Sequence, residues 1–595
     1  MHRAGRLRRI AGGRRPDSAK NLLNRVTVAL LLCAVSWSIS ATASELDIRL
    51  SGLDGEPAAN VRAMLDLYDL EDRSGLDLPT VRFFLDRAPE QARTALIPFG
   101  YYRPEIHTEL TTETQPWRAK LTINPGEPVR VASMAIHVLS ERQPAELDFR
   151  LPPFPLSLGD RLDHQRYEAG KRTFRNALYD NGYLDIQPLT QEVRVDAERG
   201  EAYLTLVWDI GTRHRFGTVT FEGSQLSDRM MRRFLPFAAG DPYSQERLLE
   251  LSSRLREREY FASVEVIPDL DRPDHTVPIT VRVTPNARTV YRFGVNYGTD
   301  SGAGVEADAR RRWINREGHR GAASINLGQR RSEATLHYDV PSTSQYDAFY
   351  QLGASLSDEV TDSTESRSLR LGISRLRSWH GWRRTDAVNY LSEESLIGDE
   401  DIRSNFLIPA FSLSRTRSDG AAIPSSGYSL RGTIRGAVEG LVSDTSLVQL
   451  EVAAKRIYSP SANTRILLRG RLGLTWTERF GELPASLRFF SGGDRSIRGY
   501  DYESLGPRDE EGAVIGGRHL IELSGEYEFR VHGPWRGAVF LDGGNALSSV
   551  SDDLELGGGF GVRYASPIGL IRADLGFPIS GDGGVRLHLV VGPDL

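Results

Sequence analysis

Apolar and polar positions alternate along many short segments between residues 290 and 595, and helical periodicity is almost absent there. In one such segment, Ala538, Phe540 and Asp542 share one face while Val539 and Leu541 share the other. Alternation with a period of two predicts β-strands that have one apolar face. The same pattern recurs in residues 468–476, 521–530, 571–575 and 585–589.

The face opposite the apolar one carries charges in these segments. In a soluble sandwich the apolar faces would pack on each other, whereas in an outer-membrane barrel they face lipid and the charges line a wet lumen. So many charged inward positions would be unusual in a soluble all-β domain. At about 19 residues for each strand and its connection, about 16 strands fit, an even number that such barrels allow. We therefore expect a C-terminal transmembrane antiparallel β-barrel of about 16 strands at residues 289–595.

The first half of the chain carries a weak repeat of about 75 to 85 residues, visible at residues 95–106, 177–186 and 255–266. In each copy a helical pattern stops at an aromatic-containing turn and an alternating strand begins. The repeat predicts three small α+β modules at residues 44–126, 127–211 and 212–288. Such modules could be rigid spacers, or their small sheets could expose edge strands that capture an extended chain.

The N-terminus has the composition of a secretory signal peptide at residues 1–43. Eight basic residues and one acidic residue precede a short apolar core, which falls short of the roughly 20 residues of a membrane-spanning helix. Removal would take away the only cysteine, Cys33, and leave 66 basic against 78 acidic residues, a net charge of −12. This acidic balance disfavours a nucleic-acid partner, since phosphate binding needs a net basic face.

A glycine-rich, arginine-centred stretch, FFSGGDRSIRGYDYESLGP at residues 489–507, lies in about forty residues without periodicity between two alternating segments. A loop this long is usually functional or disordered. Its glycines could merely shape turns around a solvated arginine, or they could fold the loop into the barrel.

Three modules followed by a barrel resemble the BamA-type outer-membrane assembly superfamily, whose modules are called POTRA domains. The loop is similar to the sixth extracellular loop of that superfamily, with Ile497 to Tyr500 matching its Val/Ile-Arg-Gly-Phe/Tyr core. Residues 295–320 and 423–430 resemble the TamA family, which also has three modules. The last residues, VVGPDL, are similar to the TamA ending and depart from the terminal aromatic residue common in outer-membrane proteins.

The resemblance implies an outer-membrane protein with periplasmic modules that inserts client proteins, particularly autotransporter-like barrels, with a TamB-like protein spanning the periplasm as partner. A polypeptide transporter of the two-partner-secretion type and support of lipid traffic remain alternatives. In the superfamily a loop arginine meets an aspartate on a nearby strand inside the barrel. We call the predicted inward segment the latch motif; it comprises Gly492, Gly493, Ile497, Arg498, Gly499 and Tyr500. The matching lumenal partner is Asp542, with Glu522 and Glu526 as less specific candidates.

The first and last barrel strands are predicted at residues 290–297 and 585–592. A barrel protein entering a membrane cannot leave strand N–H and C=O groups unpaired in lipid. A catalyst could open the seam between its own first and last strands and offer those edges as templates. The predicted seam residues are Val290, Tyr291, Phe293, Val295, Val585, Leu587, Leu589 and Val591.

The sequence offers no familiar catalytic constellation. It contains no Gly-x-Ser-x-Gly, HExxH or Walker loop, and its 12 histidines show no ligand spacing. We therefore expect no enzymatic activity, cofactor or metal, and expect client proteins and outer-membrane lipid as the other partners. A passive porin and a soluble exported scaffold are further rivals, which the three modules and the strand pattern respectively disfavour.

Overall fold

A computed structural model describes residues 46–71, 73–113, 115–271, 274–421, 423–440, 442–566, 569–581 and 584–592. The predicted signal peptide, its Cys33 and the last three residues lie outside the described residues. The chain forms two compact units, which divide after Arg213. No helix among the residues described is long and apolar enough to cross a membrane.

The first module is a three-stranded sheet covered by two helices. Its elements are β1 (Leu46–Ser51), α1 (Gly55–Met64), α2 (Leu78–Leu96), β2 (Glu105–Thr111) and β3 (Trp117–Asn124), with 3-10 turns at Asp66–Leu70 and Ile97–Phe99. The sheet order is β1-β3-β2, with β1 parallel and β2 antiparallel to β3. Because alternate residues of β3 point to the helices, Ala119, Leu121 and Ile123 are buried in the core.

The second module has a sheet of order β5-β4-β7-β6. Its elements are β4 (Arg130–Ser140), β5 (Gln143–Pro144), α3 (His164–Asp180), β6 (Gln187–Asp196) and β7 (Glu201–Asp209). Trp208 of β7 stacks on Phe174 of α3, with ring centroids 5.9 Å apart. Aromatic burial of this kind dominates small cores.

The third module belongs to the same compact unit as the barrel. It consists of β8 (Arg215–Glu222), α4 (Asp228–Arg232), α5 (Gln245–Glu257), β9 (Phe261–Pro268) and β10 (Thr276–Pro285), with sheet order β8-β10-β9. Helix α5 buries Leu248, Leu251 and Leu255, whose spacing places them on one helical face.

Sixteen strands among the described residues form one antiparallel sheet in sequential order. They are β11 (Thr289–Gly298), β12 (Gly302–Arg311), β13 (Arg320–Gly328), β14 (Arg331–Pro341), β15 (Phe349–Val360), β16 (Thr364–Trp379), β17 (Trp382–Ile397), β18 (Glu400–Ser418), β19 (Gly427–Ala437), β20 (Leu447–Ser461), β21 (Thr464–Trp476), β22 (His519–His532), β23 (Trp535–Leu547), β24 (Glu555–Ser566), β25 (Gly569–Pro578) and β26 (Arg586–Gly592). The predicted fold class is confirmed: POTRA modules precede a nearly closed barrel.

The two faces of the barrel strands differ as the alternation predicts. On β23 the outward Val539 and Leu541 are 48% and 57% exposed, whereas the inward Phe540 and Asp542 are 6% and 0% exposed. The exposed apolar residues therefore form the lipid-facing surface, and the charges are enclosed in the lumen.

The third module is fastened to the barrel through the turns that join β12 to β13 and β14 to β15. Tyr260 donates a hydrogen bond to the Gly318 carbonyl at 2.6 Å, and the Ser227 N–H donates to the Arg316 carbonyl at 2.8 Å. Arg258 donates to the Tyr346 carbonyl at 3.0 Å. These contacts lie at the end of the barrel where β11 begins.

Candidate functional site

Residues 477–518 connect β21 to β22 and fold into the barrel instead of projecting from it. Short 3-10 turns at Phe480–Glu482 and Ala485–Leu487 lead into the latch motif. Within that motif, Ile497 is 0% and Arg498 3% exposed. A loop this enclosed must satisfy its polar groups through the barrel wall.

The Arg498 guanidinium is held by three carboxylates. Its Nε and one terminal nitrogen donate to the two oxygens of Asp542 at 2.7 and 3.0 Å, and the Arg498 backbone N–H also reaches Asp542 at 3.2 Å. The other terminal nitrogen donates to Glu526 at 2.7 Å and to Asp574 at 3.1 Å. Bidentate pairing of this kind fixes both the position and the orientation of the arginine.

The aromatic ring of Phe540 supports the same guanidinium, whose central carbon lies 3.4 Å from the ring centroid. Burial alone lowers the pKa of Arg498, but its hydrogen bond to Asp542 and the surrounding carboxylates outweigh burial and raise that pKa above its ordinary value. The arginine is therefore a permanently charged anchor for the loop.

A second arginine, which the sequence pattern did not single out, completes the cluster. Arg563 on β24 donates to Glu526 at 2.7 Å and to both oxygens of Asp574. Glu526 and Asp574 therefore serve two arginines each. The sequence signal was available, since Arg563 and Asp574 occupy inward positions of alternating strands, but their pairing depends on the strand register.

Glycines on the barrel wall make room for the latch backbone. A Cβ atom on Gly557 would lie 2.0 Å from the Arg498 carbonyl oxygen, and one on Gly576 would lie 2.8 Å from the Gly499 nitrogen. Gly499 itself has φ +102°, a conformation that favours glycine. Glycine inside a strand marks such close approaches of backbone.

The neighbours of Arg498 in the latch motif are also held. The Gly499 N–H donates to His588 Nε2 on β26 at 3.1 Å. The Tyr500 hydroxyl lies 3.0 Å from Glu555 and 3.2 Å from the Leu556 carbonyl, both on β24. These contacts fix the motif to β24 and β26, in addition to the strands that carry the carboxylates around Arg498.

Glu522, one of the predicted partners, contacts the loop through residues other than Arg498. It accepts a hydrogen bond from Ser491 at 2.9 Å and another from Ser496, and it pairs with Arg471 at 3.1 Å. The less specific candidate Glu526 is the one that reaches Arg498 directly.

The predicted seam strands lie at the two ends of the sheet. No backbone ladder joins β11 to β26 in the part of the chain that the structure describes. The Leu589 N–H instead donates to the Thr299 hydroxyl at 3.2 Å, beyond the end of β11.

The predicted seam residues fall into two groups. Val290, Tyr291, Phe293 and Val295 lie on β11, and Leu587, Leu589 and Val591 lie on β26. The prediction for Val585 is wrong in one respect, because β26 begins at Arg586, and Val585 lies in the preceding connection and is 69% exposed.

The loop also touches the turn at residues 299–301, on the β11 side of the seam. The Asp494 N–H donates to Asp300 at 2.5 Å. Gly493 allows this approach, because a Cβ there would lie 2.4 Å from the same carboxylate oxygen. Arg586 on β26 pairs with Asp501 of the loop. The loop therefore bridges both sides of the seam.

The fold and this inward loop define an outer-membrane barrel with POTRA modules in the periplasm. A family model described as the Omp85 superfamily domain matches residues 292–592, and the chain belongs to this superfamily. A model described as POTRA domain TamA domain 1 matches residues 47–125, and one described as surface antigen variable number repeat matches residues 214–286.

Three similar proteins illustrate the relationship. The outer membrane protein assembly factor BamA of Nitratidesulfovibrio vulgaris is 24% identical over 432 residues, covering 68% of this chain and 53% of the relative. Outer envelope protein 80, chloroplastic, of Arabidopsis thaliana is 38% identical over 124 residues, covering 19% of this chain and 15% of the relative. This chain thus spans about half the length of the first relative and less of the second.

Among solved structures, the crystal structure of BamA from Haemophilus ducreyi lacking POTRA domains 1–3 matches with a TM-score of 0.63 and 17% identity, covering 77% of this chain and 98% of that one. This likeness shows the shared fold.

Removing either partner of the central pair should destabilise the barrel by a similar amount. Arg498→Ala leaves Asp542 buried without its main partner, and Asp542→Ala removes the bidentate acceptor. We expect each to lower the free energy of unfolding by about 3–5 kcal/mol. The double variant should lose little more than either single variant. Denaturant unfolding in detergent micelles measures these losses.

The exposed Arg495 supplies the matched control, since Arg495→Ala removes a loop arginine outside the cluster. We expect it to change the free energy of unfolding by less than about 0.5 kcal/mol. Additive losses for Arg498→Ala and Asp542→Ala would contradict the pairing.

The contact between residues 300 and 494 should depend on pH. Burial and the charge of Asp494 raise the pKa of the Asp300 carboxyl to about 7, while the hydrogen bond from the Asp494 backbone N–H and the charge of Arg330 oppose the shift. A carboxyl with a higher pKa in the folded state weakens folding as it ionises. Its penalty therefore grows from about pH 4 to about pH 7 and is constant above.

Asp300→Asn removes the charge and keeps an oxygen that can accept from the Asp494 N–H. The thermal midpoint of this variant should match that of the wild type near pH 4, exceed it increasingly up to about pH 7, and keep a constant lead above that pH. Asp399→Asn, in the exposed turn between β17 and β18, should follow the wild type throughout. A pH-independent difference between Asp300→Asn and the wild type would refute this account.

Proposed function

We propose that this protein is an outer-membrane assembly factor of the TamA type, which inserts and folds client barrel proteins together with a TamB-like partner. The match of residues 47–125 to the first TamA POTRA domain supports the TamA branch. The assembly factor named among its relatives supports the activity. Autotransporter-like barrels are the proposed clients.

The observation that carries the proposal is the unpaired seam. All fifteen neighbouring strand pairs from β11 to β26 are joined by backbone hydrogen bonds, whereas among the described residues no backbone ladder joins β11 to β26, and the Leu589 N–H of β26 meets the Thr299 hydroxyl just beyond β11. In lipid an unpaired strand edge is costly. The two edges are therefore the places where an incoming strand gains most by pairing.

The loop can guide this opening because its contacts differ in strength on the two sides of the seam. On the β26 side it is held by the charged cluster of Arg498, Asp542 and Asp574. On the β11 side it meets Asp300 through one backbone N–H, with two carboxylates close together. Opening should release the β11 side and leave the latch motif with β22–β26.

A disulfide across the seam tests the proposal. Thr299→Cys and Leu589→Cys replace residues already joined by a 3.2 Å hydrogen bond, which places their backbones near the range that a disulfide spans. The natural sequence has only Cys33, within the predicted signal peptide, so unwanted pairing is limited. We expect oxidation to reduce insertion of a client barrel into proteoliposomes by at least about tenfold, because the edges cannot separate, and reduction to restore it.

The matched control locks a strand pair that is already joined. Tyr297→Cys and Ala303→Cys are directly opposite in β11 and β12, so their disulfide should leave client insertion unchanged. Equal insertion by the oxidised seam variant and the wild type, with the disulfide verified on a non-reducing gel, would eliminate seam opening as the mechanism.

A further inference from the structure

Five arginines of β16 to β18 break the apolar pattern on the outward face of the barrel near the third-module end. On β16 the outward positions include Ile373 and Trp379, which are 51% and 45% exposed. Alternation places Arg375 and Arg377 on the same face. The register then places Arg384 of β17, and Arg415 and Arg417 of β18, on that face as well. We call these five residues the arginine patch.

The patch lies at the level of the periplasmic leaflet. Strand β16 ends, and β17 begins, at the same end of the barrel as the start of β11, because neighbouring strands are antiparallel. That end also carries the third module. Charged residues on a lipid-facing surface are tolerated at such an interface and not at the midplane.

Among the described strand residues of β15 to β19 near this end, Asp386 is the one carboxylate on the outward face, and Asp347 of the β14–β15 turn accepts a hydrogen bond from the Ser378 N–H. Asp386 accepts three hydrogen bonds from Arg384, at 2.7 to 3.0 Å, and is thereby occupied. Arg377 lies directly opposite Arg384 in the ladder. Like charges directly opposite each other on a sheet are destabilising unless an anion lies between them.

Three of the four remaining guanidiniums have a donor without a partner in the described part of the chain. The buried Nε atoms of Arg375, Arg377 and Arg415 have no hydrogen-bond partner among the described residues. Two of these arginines lie over aromatic rings, Arg375 at 5.8 Å from the Tyr350 centroid and Arg415 at 5.7 Å from that of Trp382. The rings hold these two guanidiniums beside the outward face of the sheet.

An apolar groove begins beside the patch. It has a volume of about 560 Å³, and its lining extends from Arg375 and Asp386 to apolar residues of β17–β20. The outward side chains of Ile373, Val388, Ile434 and Val448 are 41–51% exposed. Gly436 contributes no side chain, so the groove stays open there. A cationic end joined to an apolar channel is complementary to a molecule with an anionic head and a hydrocarbon tail.

We propose that the arginine patch and this groove bind a phospholipid of the periplasmic leaflet, with the phosphate on Arg377 and Arg415 and one acyl chain in the groove. Guanidinium groups suit phosphate because their planar donors can bind two oxygens at once. This site goes beyond the proposed insertion activity and does not depend on the seam.

Native mass spectrometry of the barrel protein in detergent tests the proposal, with phosphatidylglycerol as the probe. The patch variant Arg377→Gln with Arg415→Gln removes two phosphate contacts. We expect about a tenfold loss of bound phosphatidylglycerol at a fixed lipid concentration, because charge-assisted hydrogen bonds are strong. The control variant Arg367→Gln with Arg403→Gln changes outward arginines at the opposite end of the same two strands, and should bind as the wild type does.

Further probes separate the contributions of head and chain. Diacylglycerol, which lacks the phosphate, should bind weakly to the wild type and equally to the patch variant. Inorganic phosphate at millimolar concentration should not displace the lipid, since it cannot occupy the groove. Heat-modifiable migration verifies that each variant is folded. If the patch variant does not fold, the lysine variant of the same two positions should retain charge and bind several-fold less lipid.

Three outcomes would overturn the site. The first is unchanged phosphatidylglycerol binding by the folded patch variant. The second is an equal loss in the control variant, which would indicate nonspecific attraction. The third is diacylglycerol binding as strong as that of phosphatidylglycerol, which would assign recognition to the hydrocarbon alone.

Discussion

The buried charge of Arg498 is the interaction on which the barrel interior depends. A guanidinium that is 3% exposed is stable only when carboxylates and hydrogen bonds replace the water it has lost. Asp542, Glu526 and Asp574 provide that replacement from three different strands. Because Arg563 shares two of the same carboxylates, the cluster also ties β22, β23, β24 and β25 to one another. The same cluster of buried ion pairs therefore holds both the loop and the strands that it contacts.

This arrangement distinguishes the strands that the charged cluster joins, β22 to β25, from the seam between the first and last strands. Strands β22 to β25 are joined by backbone ladders and by the charged cluster, whereas in the described part of the chain no backbone ladder joins the two edge strands, β11 and β26. The third module is fastened beneath the turns that follow β12 and β14, close to the first of those edges. We infer that motion at the seam is compatible with a fixed loop and a fixed third module. This combination suits the proposed assembly activity, in which the edges move while the position of the barrel in the membrane is kept.

Much of the fold could be predicted from the sequence because two simple periodicities dominate it. Alternation gave the strands and their lipid-facing sides, and the inward position of Asp542 followed from the outward positions of Val539 and Leu541. Glu526 could be named only as a less specific candidate beside Glu522, and the roles of Asp574 and Arg563 could not be assigned, because several strands carry inward acids and only the register decides which of them meet. The contact between Asp300 and Asp494 joins residues far apart in sequence and has no local signal. The start of β26 was also misplaced, since Val585 continues the alternation although it lies outside the strand.

The arginine patch also could not be predicted from the sequence, because it depends on the strand register. Each of its arginines interrupts an apolar face, but Arg377 and Arg384 become neighbours only when β16 and β17 are paired in their observed register. The pattern along one strand therefore shows only that an arginine interrupts an apolar face. The paired sheet shows that several such arginines lie next to one another. Their position beside an apolar groove is a property of the folded surface alone.

Distance measurements by double electron–electron resonance in lipid vesicles test most directly whether the loop stays fixed while the seam moves. One label pair, at Tyr297 and Leu587, reports on the seam, and another, at Arg495 and Val562, reports on the loop against β24. All four side chains are exposed, so labelling should leave the core intact. The account predicts that a client barrel broadens or lengthens the seam distances while the loop distances stay narrow and unchanged. Broadening of both distributions together, or a narrow seam distribution unaffected by client, would contradict it.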